Sequence, residues 1–247
     1  MRCKLFSLLT SFFILFSFSL HQAIAEQTQV PSSGYDKTWY IADFWPGEYP
    51  NALAITEKNL LLPARKAMDK KLSKDVQCQL PYKAVFHHWN RQRNEKNAVK
   101  YYTANKIVTL IAKEDFTLEH FEEIDGGKTQ IKKGEKINYL TYLSEGTFSV
   151  KIKGQEYTAD QELFKHVKKV DKKKFISEEW LELRCENGPQ AWILHNELYK
   201  KVKGLIVYQK GFARGSIEAY GKARDLTDED LKEIKKLEDQ LEKDLKN

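Results

Sequence analysis

Residues 179–193 have the sequence EWLELRCENGPQAWI, and this stretch decides what kind of fold the chain adopts. Apolar and polar side chains alternate on either side of a short polar break, which is the period of strands with one buried face. The break contains Asn187-Gly188, a pair that favours the backbone angles of a tight hairpin turn. The stretch therefore predicts an antiparallel hairpin with strands at 180–184 and 191–194.

The rest of the chain predicts a mainly β fold around this hairpin. Twelve Tyr, thirteen Phe and five Trp favour strands over a coiled coil, and 41% hydrophobic residues are enough for a packed core. Short segments with strand patterns recur between turn signals such as Ser144-Glu145-Gly146, a spacing typical of a small barrel or sandwich. These segments are 76–80, 84–89, 107–112, 137–143, 148–152 and 205–208. Residues 163–170 predict one short helix.

The C-terminal region predicts an amphipathic helix. Thr227 is its expected N-cap and Asp230 completes a capping box. Apolar residues then recur every three or four positions along one face. They are Leu231, Ile234, Leu237, Leu241 and Leu245. The pattern favours packing on the protein's own surface, and a partner-binding coil is the alternative.

The region 107–199 resembles a bacterial SH3-like (SH3b) domain. That family has a strand with Trp, a polar turn containing Gly, and a second strand with Gly-Trp-Val. Here Trp180 and Trp192 stand at the Trp positions, while Ala191 and Ile193 replace the usual Gly and Val. Residues 195–198 match the short turn and terminal Leu that close such barrels, and residues 131–137 look like the exit from the family's long first loop.

The resemblance implies a binding module whose ligands lie in an aromatic-lined groove. Trp and Tyr suit this role because they combine a large rigid surface with a polar tip. Tyr139, Tyr142 and Trp192 are the candidate ligand-binding residues. The alternative is that these rings belong to the core, and Trp180 is the expected core member because it begins a strand.

The N-terminus predicts export. Arg2 and Lys4 precede an uncharged run at 5–20, and Ala23-Ile24-Ala25 follows as a cleavage motif. Residues 1–25 are therefore predicted to be a signal peptide; a membrane anchor is the alternative, but the run is shorter than the roughly 20 residues that span a bilayer. The protein would be periplasmic or secreted, with no transmembrane segment after cleavage.

The expected organisation after cleavage has four parts. A flexible leader at 26–34 precedes an N-terminal β-rich lobe at 35–105. The SH3-like barrel follows at 106–200, and residues 201–247 supply a short strand, a loop and the C-terminal helix. Residues 53–89 resemble a second copy of the barrel too weakly for a repeat to be assigned.

Two cysteines, Cys78 and Cys185, follow the predicted signal peptide. In an exported chain such a pair predicts one disulfide, here tying the N-terminal lobe to the barrel. Two buried free thiols, or one catalytic thiol, are the alternatives.

Motifs for chemistry are weak, which favours a non-enzymatic function. Adjacent strand residues such as His87 and His88 point to opposite faces, so they are not expected to hold one metal ion, and no metal or cofactor is predicted. The net charge of +6 is too small to indicate nucleic-acid binding. The predicted function is recognition of a cell-wall component or another envelope protein. A cell-wall hydrolase with the barrel as its targeting lobe, and a secreted factor acting on a host or neighbouring cell, are the alternatives.

Overall fold

The computed structural model describes residues 33–43, 51–87, 99–119, 127–170, 174–198, 202–210, 217–218 and 226–244. The fold is mainly β with a C-terminal helix, as the sequence predicts. In chain order the strands are β1 Trp39–Ala42, β2 Asn51–Ile55, β3 Leu61–Ala64, β4 Val76–Gln79, β5 Val85–His87, β6 Val99–Lys106, β7 Val108–Ala112, β8 Phe116–Glu119, β9 Lys128–Ile131, β10 Lys136–Tyr142, β11 Thr147–Ile152, β12 Gln155–Asp160, β13 Val167–Lys169, β14 Ser177–Arg184, β15 Gln190–Leu194, β16 Leu205–Lys210 and β17 Ile217–Glu218. The helices are α1 Leu163–His166 and α2 Asp228–Asp244, with a 3-10 turn at His195–Glu197.

The strands form two units, one inserted in the other. Residues 108–169, the inner unit, contribute a five-stranded antiparallel sheet in the order β12-β11-β10-β7-β13 and the hairpin β8-β9. The outer unit comes from residues on both sides of this insertion. Its sheets have the orders β1-β6-β14-β15 and β17-β16-β2-β5, and β3-β4 is its separate hairpin. Among the described residues, none of these sheets closes on itself.

The inner unit has a hydrophobic core of its own. Its strand β11, which pairs on both sides, alternates buried Phe148, Val150 and Ile152 with more exposed residues, as the sequence pattern predicts. Because one face of the sheet is buried, this period of two fixes the register of the strand. The buried core residues are Val108, Leu110, Ala112, Leu118, Ile131, Ile137, Phe148, Val150, Ile152, Ala159, Leu163 and Val167.

The two units share part of their order of elements. In the inner unit β7 is followed by the separate hairpin β8-β9, and in the outer unit β2 is followed by the hairpin β3-β4. A short helical turn precedes β13, which pairs with β7, and another precedes β16, which pairs with β2. The outer unit also has β1 before β2 and β17 after β16, and the inner unit is inserted between β6 and β14.

This division differs from the single barrel expected at 106–200. The hairpin β14-β15 pairs with β6 and belongs to the outer unit, whereas residues 108–169 form a separate sheet. Local patterns identified the strands, but the partner of β14 lies more than seventy residues earlier in the chain. The helix expected at 163–170 is shorter, because residues from Val167 onwards pair with β7 as strand β13.

The predicted disulfide between Cys78 and Cys185 is confirmed. Cys78 lies on β4 and Cys185 directly follows β14, so the bond ties the β3-β4 hairpin to the hairpin that carries Asn187-Gly188. Both cysteines are buried in the outer core, between the two main sheets. Disulfides of this kind persist in oxidising compartments, which fits an exported protein.

Helix α2 packs on the outer unit, as expected from its apolar face. Thr227 accepts a hydrogen bond from the Asp230 N–H and its own N–H donates to the Asp230 carboxylate, which is the predicted capping box. Ile234 and Leu237 are buried against the sheet that contains β2 and β16. Leu231, expected in the same contact, is 38% exposed because it lies at the edge of the buried stripe.

The expected leader and signal peptide lie largely outside the described residues. Ser33 and Gly34 are described: the Gly34 N–H donates to the Met68 carbonyl at 3.1 Å, which holds this end of the leader against the outer unit. His88 and Leu245 also lie outside the described residues. Neither described helix has the length and apolar character that a membrane span requires.

The burial of α2 predicts unequal effects of two similar substitutions. Leu237→Ala should destabilise the protein by about 2 to 5 kcal/mol, because it leaves a cavity under the helix. Leu231→Ala, in the same helix, should cost about 1 kcal/mol or less, since an exposed leucine leaves no cavity. Chemical denaturation of both variants measures the difference. Equal losses would contradict the packing described here.

The disulfide predicts a redox-dependent stability. Replacing Cys78 and Cys185 by Ser should lower the stability by about 4 to 5 kcal/mol, because a long loop in the unfolded chain is no longer closed. Thermal melts with and without reductant provide the control. The wild type should fall to the melting temperature of the double variant under reductant, and the variant should not respond. A wild type that is insensitive to full reduction would refute this prediction.

Candidate ligand-binding surface

Four aromatic rings lie side by side: Tyr139, Phe148 and Phe164 on the inner unit, and Phe175 on the segment that leaves it. We call them the aromatic surface. The ring centroid of Tyr139 lies 4.6 Å from that of Phe175 and 5.2 Å from that of Phe148. Phe148 and Phe164 are 4.9 Å apart, so the four rings form one continuous cluster.

Separate elements bring these rings together. Tyr139 lies on β10, next to an irregularity in the pairing of β10 with β11, and Phe148 lies on β11. Phe164 is carried by the single turn α1. Phe175 lies on the segment that leaves the inner unit, one residue before Ile176, whose carbonyl accepts a hydrogen bond from the Lys106 N–H at 2.9 Å.

The outer part of this cluster is open to solvent. Phe164 is 40% exposed and Phe175 is 45% exposed, and Val170 and Ile176 near them are also exposed. Scattered exposed apolar residues are ordinary, whereas Phe164 and Phe175 both flank the Tyr139 ring, and exposed apolar patches are a common feature of interaction sites. Phe148 is buried, so it supports the surface from below.

Lysines border the aromatic surface near Phe175. The ammonium group of Lys169 lies 3.7 Å from the centre of the Phe175 ring, a cation–π contact. Lys168 and Lys174, which precede Lys169 and Phe175 in the sequence, are also exposed. Lys165, beside Phe164, forms an ion pair with Glu162 at 2.6 Å, which neutralises that side. A ligand at this surface would therefore meet ring faces and a positive charge together.

Two of the three ring residues expected from the sequence lie at or beside this surface. Tyr139 is one of its four rings, and burial raises the pKa of its phenol to about 12, so its hydroxyl stays protonated and can donate. Tyr142 is 40% exposed at the end of β10 and is the register partner of Phe148 on β11. Its hydroxyl accepts a hydrogen bond from the Gly146 N–H at 3.2 Å.

Trp192, the third expected residue, lies in the core of the outer unit. Its side chain is 5% exposed and its ring is 5.2 Å from that of Tyr102. The sheet of β6, β14 and β15 is buried on both faces. One face packs against the sheet that contains β2 and β16, and Met68 with the chain around Tyr35 covers the other, on which Trp192 lies. The backbone of Arg65 also bridges to Trp192 at the edge of β15. The sequence of β15 alone does not predict this covering layer, because the residues that form it lie elsewhere in the chain.

Phe164 and Phe175 were not identified from the sequence. Phe164 lies within the segment predicted to be helical, and Phe175 follows a lysine-rich stretch. No spacing rule connects either residue with Tyr139, since they meet only after β10, β11 and β13 assemble. The one available signal was the presence of large apolar residues among lysines, which is unusual for a solvated turn.

The described residues contain no group of three or more His, Cys, Asp or Glu side chains placed to hold a metal ion. The aromatic surface offers ring faces, the phenol groups of Tyr139 and Tyr142, and the ammonium of Lys169. Groups of this kind interact by packing, hydrogen bonding and charge.

Comparison of the chain with protein-family models, with curated proteins and with solved structures yields no match.

The surface predicts which rings support the fold and which are free for a ligand. Phe148→Ala should destabilise the protein by about 3 to 5 kcal/mol because it removes a buried ring. Phe164→Ala should cost about 1 kcal/mol or less, since much of that ring faces water. Urea denaturation, followed by circular dichroism, checks the pair. A large loss for Phe164→Ala would place that ring in the core instead.

Proposed function

We propose that this chain is a non-enzymatic, exported envelope protein that binds a cell-wall component or another envelope protein through the aromatic surface. The observation that carries this proposal is the contact of four rings, of which Phe164 and Phe175 are nearly half exposed. Burying such rings against a partner releases much more free energy than burying polar side chains.

The composition of the surface fits a ligand with both apolar and anionic parts. The exposed rings of Phe164 and Phe175 offer apolar area, and the Lys169 ammonium lies over the Phe175 ring. The phenol of Tyr142, the last residue of β10, adds a polar group. Wall peptides and segments of envelope proteins combine these features, and charge-assisted hydrogen bonds to lysine are among the stronger polar contacts.

The arrangement of strands supports an SH3-like character for both units. In each unit a hairpin occupies the long connection after β7 or β2, and a short helical turn precedes β13 or β16. A long loop and a closing helical turn are features that the sequence resemblance leads us to expect. In the outer unit this turn is His195–Glu197, followed by buried Leu198. On this proposal the SH3b-like motif of residues 179–193 belongs to the outer unit, and the inner unit is a second module inserted into it.

Export is supported by the disulfide and by the N-terminal sequence pattern. The Cys78–Cys185 bond needs an oxidising compartment, and residues 1–25 have the order of charged, apolar and small residues that signal peptidases recognise. Periplasmic and fully secreted locations fit these features equally well.

A pull-down on purified sacculi tests the proposal. Phe164→Ala and Phe175→Ala should each weaken binding by about 2 kcal/mol, roughly thirtyfold, if the ring is an anchor. Tyr82→Ala is the matched control, because Tyr82 is a similarly exposed aromatic residue on the outer unit. Circular dichroism of each variant excludes unfolding.

The outcomes separate the proposal from its alternatives. If the wild type does not bind sacculi, an untargeted interaction screen with the same variants asks whether an envelope protein is the ligand instead. If Phe164→Ala and Phe175→Ala bind sacculi and the envelope protein as tightly as the wild type does, the role of the aromatic surface is refuted. Release of soluble wall fragments by the wild type would favour the hydrolase alternative, and binding only to other cells would favour the secreted factor.

A further inference from the structure

Polar side chains are buried where the inner unit joins the outer one. We call the paired ends of β6 and β14, from Thr103 to Asn105 and from Ser177 to Glu179, the root of the inner unit. Asn105 pairs with Ser177 and Thr103 pairs with Glu179. The Asn105 side chain donates a hydrogen bond to the Thr141 hydroxyl at 3.1 Å, which connects the root with β10.

Glu179 is the acidic residue of this buried layer. The Asn51 side-chain amide donates to its Oε2 at 3.3 Å and also to Nδ1 of His195 at 3.2 Å. Glu179 Oε2 and His195 Nδ1 are 4.0 Å apart. The side chain of Glu179 is 22% exposed, while those of Asn51 and His195 are almost fully buried.

Among the described residues, the groups that face Glu179 provide little compensation for a negative charge. From β2 it faces the neutral amide of Asn51, and from β6 the hydroxyl of Thr103 and the ring of Tyr101. From the 3-10 turn it faces His195, whose pKa burial lowers to about 3, so this imidazole is neutral. Its neighbour Glu178 alternates to the other side of β14, where it contacts Lys70 and Tyr35.

Burial therefore favours the protonated carboxyl of Glu179. It raises the pKa from the ordinary 4.5 to about 7, against a smaller lowering by the hydrogen bond from Asn51. Charging this group in place has a free-energy cost that is relieved when water reaches the carboxylate. Glu179 lies opposite Thr103 near the end of the β6-β14 pairing, so separating this end would expose its partly buried carboxyl further.

The same segment positions Phe175. Ile176 is held by its hydrogen bond to Lys106, immediately before Ser177 of the root. Phe175 in turn lies against Tyr139 on the aromatic surface. Because Phe175, Ile176 and Ser177 are consecutive, a separation of the strands at the root would displace the Phe175 ring.

We propose that Glu179 is a proton-binding site that controls the seating of the inner unit on the outer one. The neutral carboxyl keeps the root closed; the carboxylate formed at higher pH opens it to water and releases the segment that carries Phe175. An effect of this release on ligand binding rests on the proposed function. The opening of the root itself does not.

The sign of the effect follows from the direction of each shift. Because the pKa of Glu179 is raised, the closed root is most stable below pH 4.5 and loses stability as the pH rises through about 7. His195 has a lowered pKa, so its contribution is lost as the pH falls from 6.5 towards 3. The two effects have opposite signs, and only Glu179 destabilises the root as the pH rises.

Hydrogen exchange of the backbone amides tests this directly. After correction for intrinsic exchange, root amides of the wild type should open on the order of tenfold more at about pH 8 than at about pH 5.5. Glu179→Gln should abolish this increase, since its side chain cannot ionise. Glu178→Gln, one residue away on the opposite face, is the matched control and should retain the increase.

The wild type alone also decides the question if Glu179→Gln fails to fold. Amides in the centre of the inner sheet, such as those of Val150 and Ile152, then serve as internal controls that should not respond to pH. Root amides that open equally at both pH values, or a response shared by the whole inner sheet, would overturn the proposal. Because exchange is measured without ligand, its result is independent of whether the aromatic surface binds sacculi.

Discussion

The antiparallel pairing of β6 with β14 is the constraint on which the rest of the structure depends. A sheet can accept an inserted unit only where the two ends of the insertion are neighbours, and the register of Asn105 with Ser177 provides such a place. The same pairing forms the middle of the outer sheet, which is buried on both faces. It also places Glu179 and Trp180 on opposite faces of the sheet, because adjacent strand residues point to opposite sides.

Two long-range connections fasten the outer unit around this pairing. The disulfide joins Cys78 to Cys185 beneath the β14-β15 hairpin. On the other face, the Arg65 guanidinium makes two hydrogen bonds to Glu197, at 2.8 and 2.9 Å, and lies 5.6 Å from the centre of the Trp180 ring. A buried guanidinium needs such a paired carboxylate, and leaving it unpaired is strongly destabilising. Arg65 therefore fixes the covering layer that hides Trp192.

The aromatic surface and the core use the same residue types for different purposes. Trp180 and Trp192 are the largest rings of the sequence motif, and both are buried because the outer sheet is covered twice. Phe164 and Phe175 remain exposed because they lie on a helical turn and on the exit from the inner unit, where no part of the described chain forms a second layer over them. Exposure of a ring thus depends on the layer above it and not on its place in a motif.

The sequence by itself determined the local features: the β-rich composition, the hairpin at Asn187-Gly188, the alternation along β11, the capping box at Thr227 and the availability of two cysteines for one bond. These depend on residues near one another in the chain, whose periodicity and turn chemistry can be read directly. Only the tertiary structure decided that β14 pairs with β6, that residues 108–169 form a unit of their own, and that Tyr139, Phe164 and Phe175 meet. Those contacts join segments far apart in sequence, and their choice depends on the burial of whole sheet faces, which no local pattern specifies.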